Sequence, residues 1–304
     1  MSQALALAVL AGIISGALGL APLSGSFALI LVSYFVQLPM MLAGLTMGLA
    51  AAIVAALAAI VLSALIGGML AALIFAVAFA LPALLVVRQA LLSRQDPEAG
   101  LVWYPPGHIL AELTVLSVLG LALAFFTLMG EEGGLIGFIE IMLAEAFGQF
   151  TAATGQPALD PEAVRSRAVF VPSVVACSWL MMAVVNGVVA QAIAVRSGWN
   201  RRPSPQLAEL ELPFWLWPLM GVAVVLAMLG STGIGLFGRS ALIVLIMPFG
   251  FLGLAVIHKF ANRWSYRQLG LAAVYAGIIV FNWPILAVIA LGLVEDWAHL
   301  RRYM

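Results

Sequence analysis

The chain has 304 residues, of which 64% are hydrophobic and only 9% are charged. A soluble domain carries about 25% charged residues, so this chain cannot cover its surface with polar groups and a lipid bilayer must solvate it. The equal numbers of basic and acidic residues, 13 of each, exclude a broad basic surface for nucleic acid. The single cysteine, Cys177, excludes an intrachain disulfide.

The first 87 residues contain no charged side chain, since the first one in the chain is Arg88. Their gapless runs of Leu, Ala, Val and Gly predict transmembrane helices rather than the alternating strands of a membrane barrel. At about 20 residues per crossing, this block can hold about four spans. We predict them at Ala4–Leu20, Ser26–Gln37, Leu42–Leu62 and Gly67–Val87, with Pro39 ending the short second span.

Further apolar runs follow a polar stretch at residues 88–108. We predict spans at Ile109–Leu128, Ala168–Val195, Pro213–Gly230 and Ala241–Ile257, and a last helix over Leu269–Val294 that is kinked at Pro284. Two shorter crossings broken at Asn282-Trp283-Pro284 are the alternative for this last run. The sequence thus predicts an all-α polytopic transmembrane helix bundle, a single integral membrane domain over residues 1–304, with about eight spans and a range of about seven to ten.

Basic residues beside the predicted spans indicate the orientation. They cluster at residues 88–94, 196–202 and 259–267, and two predicted spans separate each cluster from the next. All three can therefore lie in the cytoplasm, as the positive-inside rule favours. We expect a multi-pass protein of the bacterial inner membrane, with a cytoplasmic N-terminus and a cytoplasmic loop at residues 88–108.

The acidic connection at residues 130–167 would then lie outside. Within it, the segment at residues 133–150 places apolar side chains at helical spacing, which predicts an amphipathic helix lying at the membrane interface. This helix is either a lid over an outward-facing cavity or an interfacial linker.

The motifs of membrane enzymes are absent from the sequence. It contains no HExxH zinc motif, no GxSxG elbow and no Walker A lysine, and its three histidines are scattered. The pair His108 and Glu112, four residues apart, is the one candidate for intramembrane catalysis, and a surface contact explains it more simply. We expect no catalytic residues, no metal and no cofactor.

A few polar and aromatic side chains lie within the predicted spans, where an unsatisfied polar group is costly and therefore a candidate for function. Six of them could converge on a small polar ligand: Tyr34, Gln37, Asn186, Gln191, Asn282 and Trp283. The alternative for Asn186 and Gln191 is interhelical hydrogen bonding, worth about 0.6 kcal/mol. The alternative for Tyr34 and Trp283 is aromatic packing at an interface.

Small residues recur every four positions in the first predicted span, at Ala4, Ala8, Gly12 and Gly16. Such a stripe lets a second helix approach closely. It predicts either a docking face for a partner membrane protein or burial against the protein's own helices.

Three short segments of the second half carry a family resemblance. They are the Leu212-Pro213 entry to the seventh predicted span, the Gly253–Ile257 run with a basic residue after it, and the closing Gly292–Asp296 segment followed by Arg301-Arg302. On these residues the chain resembles the YybS-like family of bacterial membrane proteins, which has no assigned function. That family is similar, in its glycine- and alanine-rich N-terminal half, to the substrate-binding S-components of energy-coupling-factor transporters.

The second likeness implies a function and partners. S-components capture vitamins or metal ions and dock, through small residues of the first helix, on a transmembrane coupling protein driven by two ATPases. The sequence therefore predicts a non-catalytic membrane protein that binds or transports an unknown small molecule, energised by such partners. The alternative is a membrane scaffold or assembly protein.

Overall fold

The computed structural model describes residues 3–98, 100–130, 133–154, 160–230, 233–298 and 301. These residues form thirteen α-helices and one short β-hairpin. The predicted all-α polytopic bundle is confirmed, because six described apolar stretches are long enough to cross a membrane. They are Gln3–Leu23, Ala28–Met47, Leu49–Ala90, Pro106–Thr127, Val171–Arg196 and Ile234–Ala261, and the shorter apolar helices are Leu216–Ala227 and Arg267–Phe281.

The N-terminal block contains five helices instead of four predicted spans. They are α1 (Gln3–Leu20), α2 (Phe27–Ser33), α3 (Leu38–Met47), α4 (Leu49–Phe75) and α5 (Leu81–Ala90), with a 3-10 turn at Ala21–Ser24 and a π-helical turn at Ala76–Ala80.

Two predicted boundaries in this block are wrong. Pro39 does not end a span, since it lies in the first turn of α3, where its missing N–H costs no hydrogen bond. The predicted span Leu42–Leu62 is divided at Gly48, whose φ of 105° ends α3. A residue with a side chain rarely adopts this φ.

The break between the third and fourth predicted spans exists, slightly later than expected. The helical stretch from Leu49 to Ala90 is interrupted at Gly68, with φ 80° and ψ 179°. Only glycine adopts this conformation without strain.

A hairpin and four helices follow. Strands β1 (Ser93–Asp96) and β2 (Gly100–Trp103) pair antiparallel, with Ser93 opposite Trp103. The helices are α6 (Pro106–Thr127), α7 (Gly134–Thr154), α8 (Pro161–Ala168) and α9 (Val171–Arg196). Helix α7 covers the predicted amphipathic segment, and its position at the membrane interface stays a prediction.

The C-terminal part contains α10 (Leu216–Ala227), α11 (Ile234–Ala261), α12 (Arg267–Phe281) and α13 (Pro284–Ala298). The prediction of one kinked helix over Leu269–Val294 is wrong, because two helices meet there. Asn282 has a positive φ of 57°, and Pro284 begins α13. Proline has no N–H to continue α12, and it disfavours helical geometry at the residue before it.

The chain divides into two compact units, which we call unit 1 (Met1–Leu113 with Met181–Glu211) and unit 2 (Thr114–Leu180 with Leu212–Met304). In unit 1, α1 packs along α4. In unit 2, α11 packs along α13 at Gly253, where an added Cβ would lie 1.9 Å from the carbonyl oxygen of Val288. Both contacts depend on small residues, as is typical of helices that associate in lipid.

Candidate functional site

Three of the six predicted ligand-binding residues come together in unit 1. Tyr34 and Gln37 lie in the turn that joins α2 to α3, and Asn186 is buried in α9. The Asn186 side-chain amide donates to the carbonyl of Tyr34 at 2.8 Å and to that of Met182, one turn earlier in α9, at 2.7 Å. Asn186 therefore joins α9 to the turn that contains Gln37.

Gln37 is fully buried and faces the π-helical turn. Its Nε2 lies 3.5 Å from the carbonyl oxygen of Ala78 and 3.4 Å from that of Phe79. In an α-helix the amide of residue 82 would donate to the carbonyl of Ala78, but residue 82 is proline and has no N–H. Gln37 thus contacts a segment where regular helical hydrogen bonding is interrupted. Such π-helical turns occur frequently at functional sites.

Each of these two amides also carries an acceptor without a partner. Within the described part of the chain, no group donates a hydrogen bond to Oδ1 of Asn186 or to Oε1 of Gln37. Leaving a buried acceptor unsatisfied costs about 1–3 kcal/mol. The arrangement can therefore accept hydrogen bonds from a molecule that offers N–H or O–H groups.

Gln191 has a different environment in the same unit. Its Nε2 donates to the carbonyl of Arg202 at 3.0 Å. Arg202 is itself buried, donates to the carbonyl of Ala90 at 3.1 Å, and lies over the ring of Trp103 at 5.7 Å. Burial lowers the pKa of the Arg202 guanidinium. These contacts hold the segment after α9 against the end of α5 and the hairpin.

The neighbouring Arg201 caps another helix. Its Nε donates to the carbonyl of Thr46 at 3.0 Å and its Nη2 to that of Met47 at 2.8 Å. Both carbonyls lie at the C-terminus of α3, where a cation is favourable. From the sequence, these arginines indicate only the orientation of the protein in the membrane. The capping contacts of Arg201 could not be predicted, because the helix end that it caps is distant in the chain.

Glu112 does not pair with His108 as the catalytic hypothesis would require. Its two oxygens accept hydrogen bonds from the Tyr104 hydroxyl at 2.5 Å and from Gln89 Nε2 at 2.6 Å. The hydrogen bond to Glu112 raises the pKa of Tyr104 to about 12. His108 instead contacts Tyr104 edge to face, with 5.6 Å between the ring centroids.

Asn282 and Trp283 belong to unit 2. They are exposed at the break between α12 and α13, and 67% of Trp283 is accessible. Their proposed role in ligand binding is untested.

The small-residue stripe packs inside unit 1. Ala8, Gly12 and Gly16 are buried, and an added Cβ at Gly12 would lie 2.2 Å from the carbonyl oxygen of Ala55 in α4. Only Ala4 of the four is exposed. Three of these residues therefore have the role that the sequence left as the alternative, burial against the protein's own helices, and they are not a free docking face in this structure.

The fold and this site define a polytopic α-helical membrane protein with two amide side chains buried in one of its units. Among the described residues, no group of three side chains is placed to hold a metal ion. The chain belongs to the family described as predicted membrane protein (DUF2232), whose model matches residues 9–295. No curated protein and no solved structure matches the chain.

Proposed function

We propose that this protein binds a small polar molecule in unit 1, at Gln37 and Asn186, and has no catalytic activity of its own. The observation that supports the proposal is the pair of buried amide oxygens that lack a hydrogen-bond donor. A ligand with hydroxyl or N–H groups would satisfy both acceptors and recover the free energy that their burial costs.

Transport is the second part of the proposal. The resemblance of the chain to S-component-like proteins supports a role in substrate capture, energised by a transmembrane coupling protein and ATPases. Because the α1 stripe contacts α4, such a coupling protein would have to dock on a different surface. The proposal for ligand binding does not depend on this second part.

Native mass spectrometry of the protein, extracted gently from its own membrane, tests ligand binding. We expect the wild-type chain to retain a small molecule, and Gln37→Leu and Asn186→Leu to lose it, because leucine removes the acceptors. Ser63→Ala is the matched control, since the Ser63 hydroxyl is also buried in unit 1 but bonds within its own helix to Ala59, at 2.9 Å.

The two parts of the proposal have separate outcomes. A wild-type chain that carries only lipid would contradict small-molecule binding and favour the alternative of a membrane scaffold. Co-purification of ATPases would support the energy-coupled arrangement, and a loaded chain without them would leave binding intact but argue against coupling.

A further inference from the structure

The corner between α11 and α12, in unit 2, contains an open cavity that lies outside the proposed ligand site. Its volume is about 540 Å³. Six residues that line it are Arg263, Trp264, Ser265, Tyr266, Leu269 and Gly270.

Trp264 forms a fixed wall of this cavity. An added Cβ at Gly270 would lie 2.3 Å from Cε3 of the indole, so the ring rests directly on the glycine backbone. Phe260 contacts the indole edge to face, with 5.9 Å between centroids. Glycine at position 270 therefore sets how close the indole lies to α12, and hence the width of the cavity.

The corner is strongly basic. Lys259, Arg263 and Arg267 lie within this short stretch of sequence, and no acidic residue occurs anywhere between Leu212 and Val294. Helix α12 begins at Arg267, and the positive end of its helix dipole adds positive potential at this corner. This combination favours an anionic group over a neutral one.

The composition of the corner is typical of a membrane–water boundary. The 28-residue apolar helix α11 ends here, and tryptophan, tyrosine and basic residues are enriched at the level of the lipid headgroups. Tyr266 and Leu269 are exposed to 79% and 71%, and none of the residues of α12, all of them described, is buried. An apolar exposed surface next to a cationic cavity fits acyl chains beside a headgroup.

From these observations we infer that the α11–α12 corner binds the phosphate of an anionic phospholipid from the surrounding membrane. Arg263 lines the cavity and Arg267 begins the adjoining helix, so both supply charge to the phosphate. Trp264 supplies the wall on which the headgroup rests. Basic pockets between transmembrane helices recognise lipid headgroups by the same chemistry.

Competition between two lipids tests this inference on the full chain. The purified protein is incubated with equal amounts of phosphatidylglycerol and phosphatidylcholine with identical acyl chains, and the retained lipid is measured by native mass spectrometry. We expect preferential retention of phosphatidylglycerol, which Arg263→Gln and Arg267→Gln each reduce about fivefold. Arg196→Gln, an exposed arginine in the last turn of α9, is the control and should leave the preference unchanged.

Gly270→Ala tests the wall without changing any charge. The new methyl group pushes the indole away from α12, so we expect weaker retention of phosphatidylglycerol with little loss of stability. Equal retention of both lipids by the wild-type chain, or the same loss in the Arg196 control, would overturn the inference. Displacement of the lipid by millimolar inorganic phosphate would also overturn it, since the site would then recognise the free anion. The Gln37 and Asn186 variants should keep the lipid preference, which separates this inference from the proposed function.

Discussion

Polar side chains in unit 1, most of them buried, donate mainly to backbone carbonyls at places where a helix ends or is interrupted. Asn186 contacts the turn after α2, Gln37 the π-helical turn, Arg201 the end of α3 and Arg202 the end of α5. These are the positions where carbonyls lack regular helical donors. In an apolar environment each such carbonyl is costly unless satisfied, so these side chains stabilise the interruptions that shape the unit.

Tyr104 offers a test of one of these polar contacts. In Tyr104→Phe the hydrogen bond to Glu112 is lost, which we expect to lower the free energy of unfolding by about 1 kcal/mol at pH 8, because the half-exposed site weakens a charge-assisted bond. The folded-state pKa of Tyr104 is raised to about 12, against about 10 when unfolded. The stabilisation is therefore complete below pH 10 and is lost as the pH rises towards 12.

Thermal unfolding in detergent at several pH values measures this effect. The difference between the wild type and Tyr104→Phe should shrink between pH 10 and 12, because in this range the Tyr104 phenol ionises in the unfolded chain while it stays protonated beside Glu112 in the folded one. Tyr266→Phe is the control, because Tyr266 is 79% exposed, and it should match the wild type at each pH. A difference that stays constant to pH 12 would contradict the assignment.

At the scale of elements, the sequence predicted that the chain is helical, where most helices lie and, to within a few residues, the break near Gly68. It missed the break at Gly48 and gave the one at Asn282 only as an alternative. Each of the breaks at Gly48, Gly68 and Asn282 depends on a local backbone angle. The chain has 29 glycines, and the apolar sequence around them does not indicate which of them adopts such an angle. Periodicity gives little help, because a helix with lipid on one side and protein on the other is apolar all round. Proline is the more informative residue here, since Pro39, Pro82 and Pro284 all lie at the beginning of a helix.

The same limit applies to the candidate site. Gln37 and Asn186 can be identified as candidates from the sequence alone, because each is an amide within an apolar run. The partners of Gln37 in the π-helical turn lie about forty residues later in the chain, and no local pattern indicates them. Pro82 is the one signal that could have indicated an interruption of regular helical hydrogen bonding in this segment.

The packing of α1 on α4 leads to a prediction about the small-residue stripe. In Gly12→Ala the new methyl would meet the Ala55 carbonyl and the Ala58 side chain at 2.2 and 2.7 Å. Because a backbone carbonyl cannot move aside as a flexible side chain can, we expect Gly12→Ala to lower the free energy of unfolding by about 1–3 kcal/mol. Gly120→Ala in α6 has open space around it and should be neutral or slightly stabilising, since alanine favours helix.

Thermal unfolding in detergent compares the two variants. A Gly12→Ala protein as stable as the wild type would contradict the close contact between α1 and α4. If the same variant kept its stability and lost a co-purifying partner, the stripe would instead be a docking face.

At the scale of the whole molecule, the structure adds a constraint to the orientation that the charges predict. Arg202, in the segment after α9, donates to carbonyls of Ala90 and Tyr104 on either side of the hairpin. The loops at residues 91–105 and 197–202 therefore lie at the same end of unit 1. Because both carry arginines, the positive-inside rule predicts that this end faces the cytoplasm.

Cysteine labelling tests this orientation in a chain that lacks its native thiol, Cys177→Ser. We expect Ser93→Cys and Ser197→Cys, both at exposed positions, to react with a membrane-impermeant maleimide in inside-out vesicles and to stay protected in intact cells. Ser166→Cys should show the opposite pattern, because α9 separates it from Ser197 by 26 helical residues, about 39 Å and enough to cross the bilayer. The fold requires positions 93 and 197 to lie on the same side of the membrane, and the arginines predict that this side is the cytoplasm. Labelling of both from outside would therefore reverse the orientation and keep the fold, whereas labelling from opposite sides would be incompatible with the hydrogen bonds of Arg202.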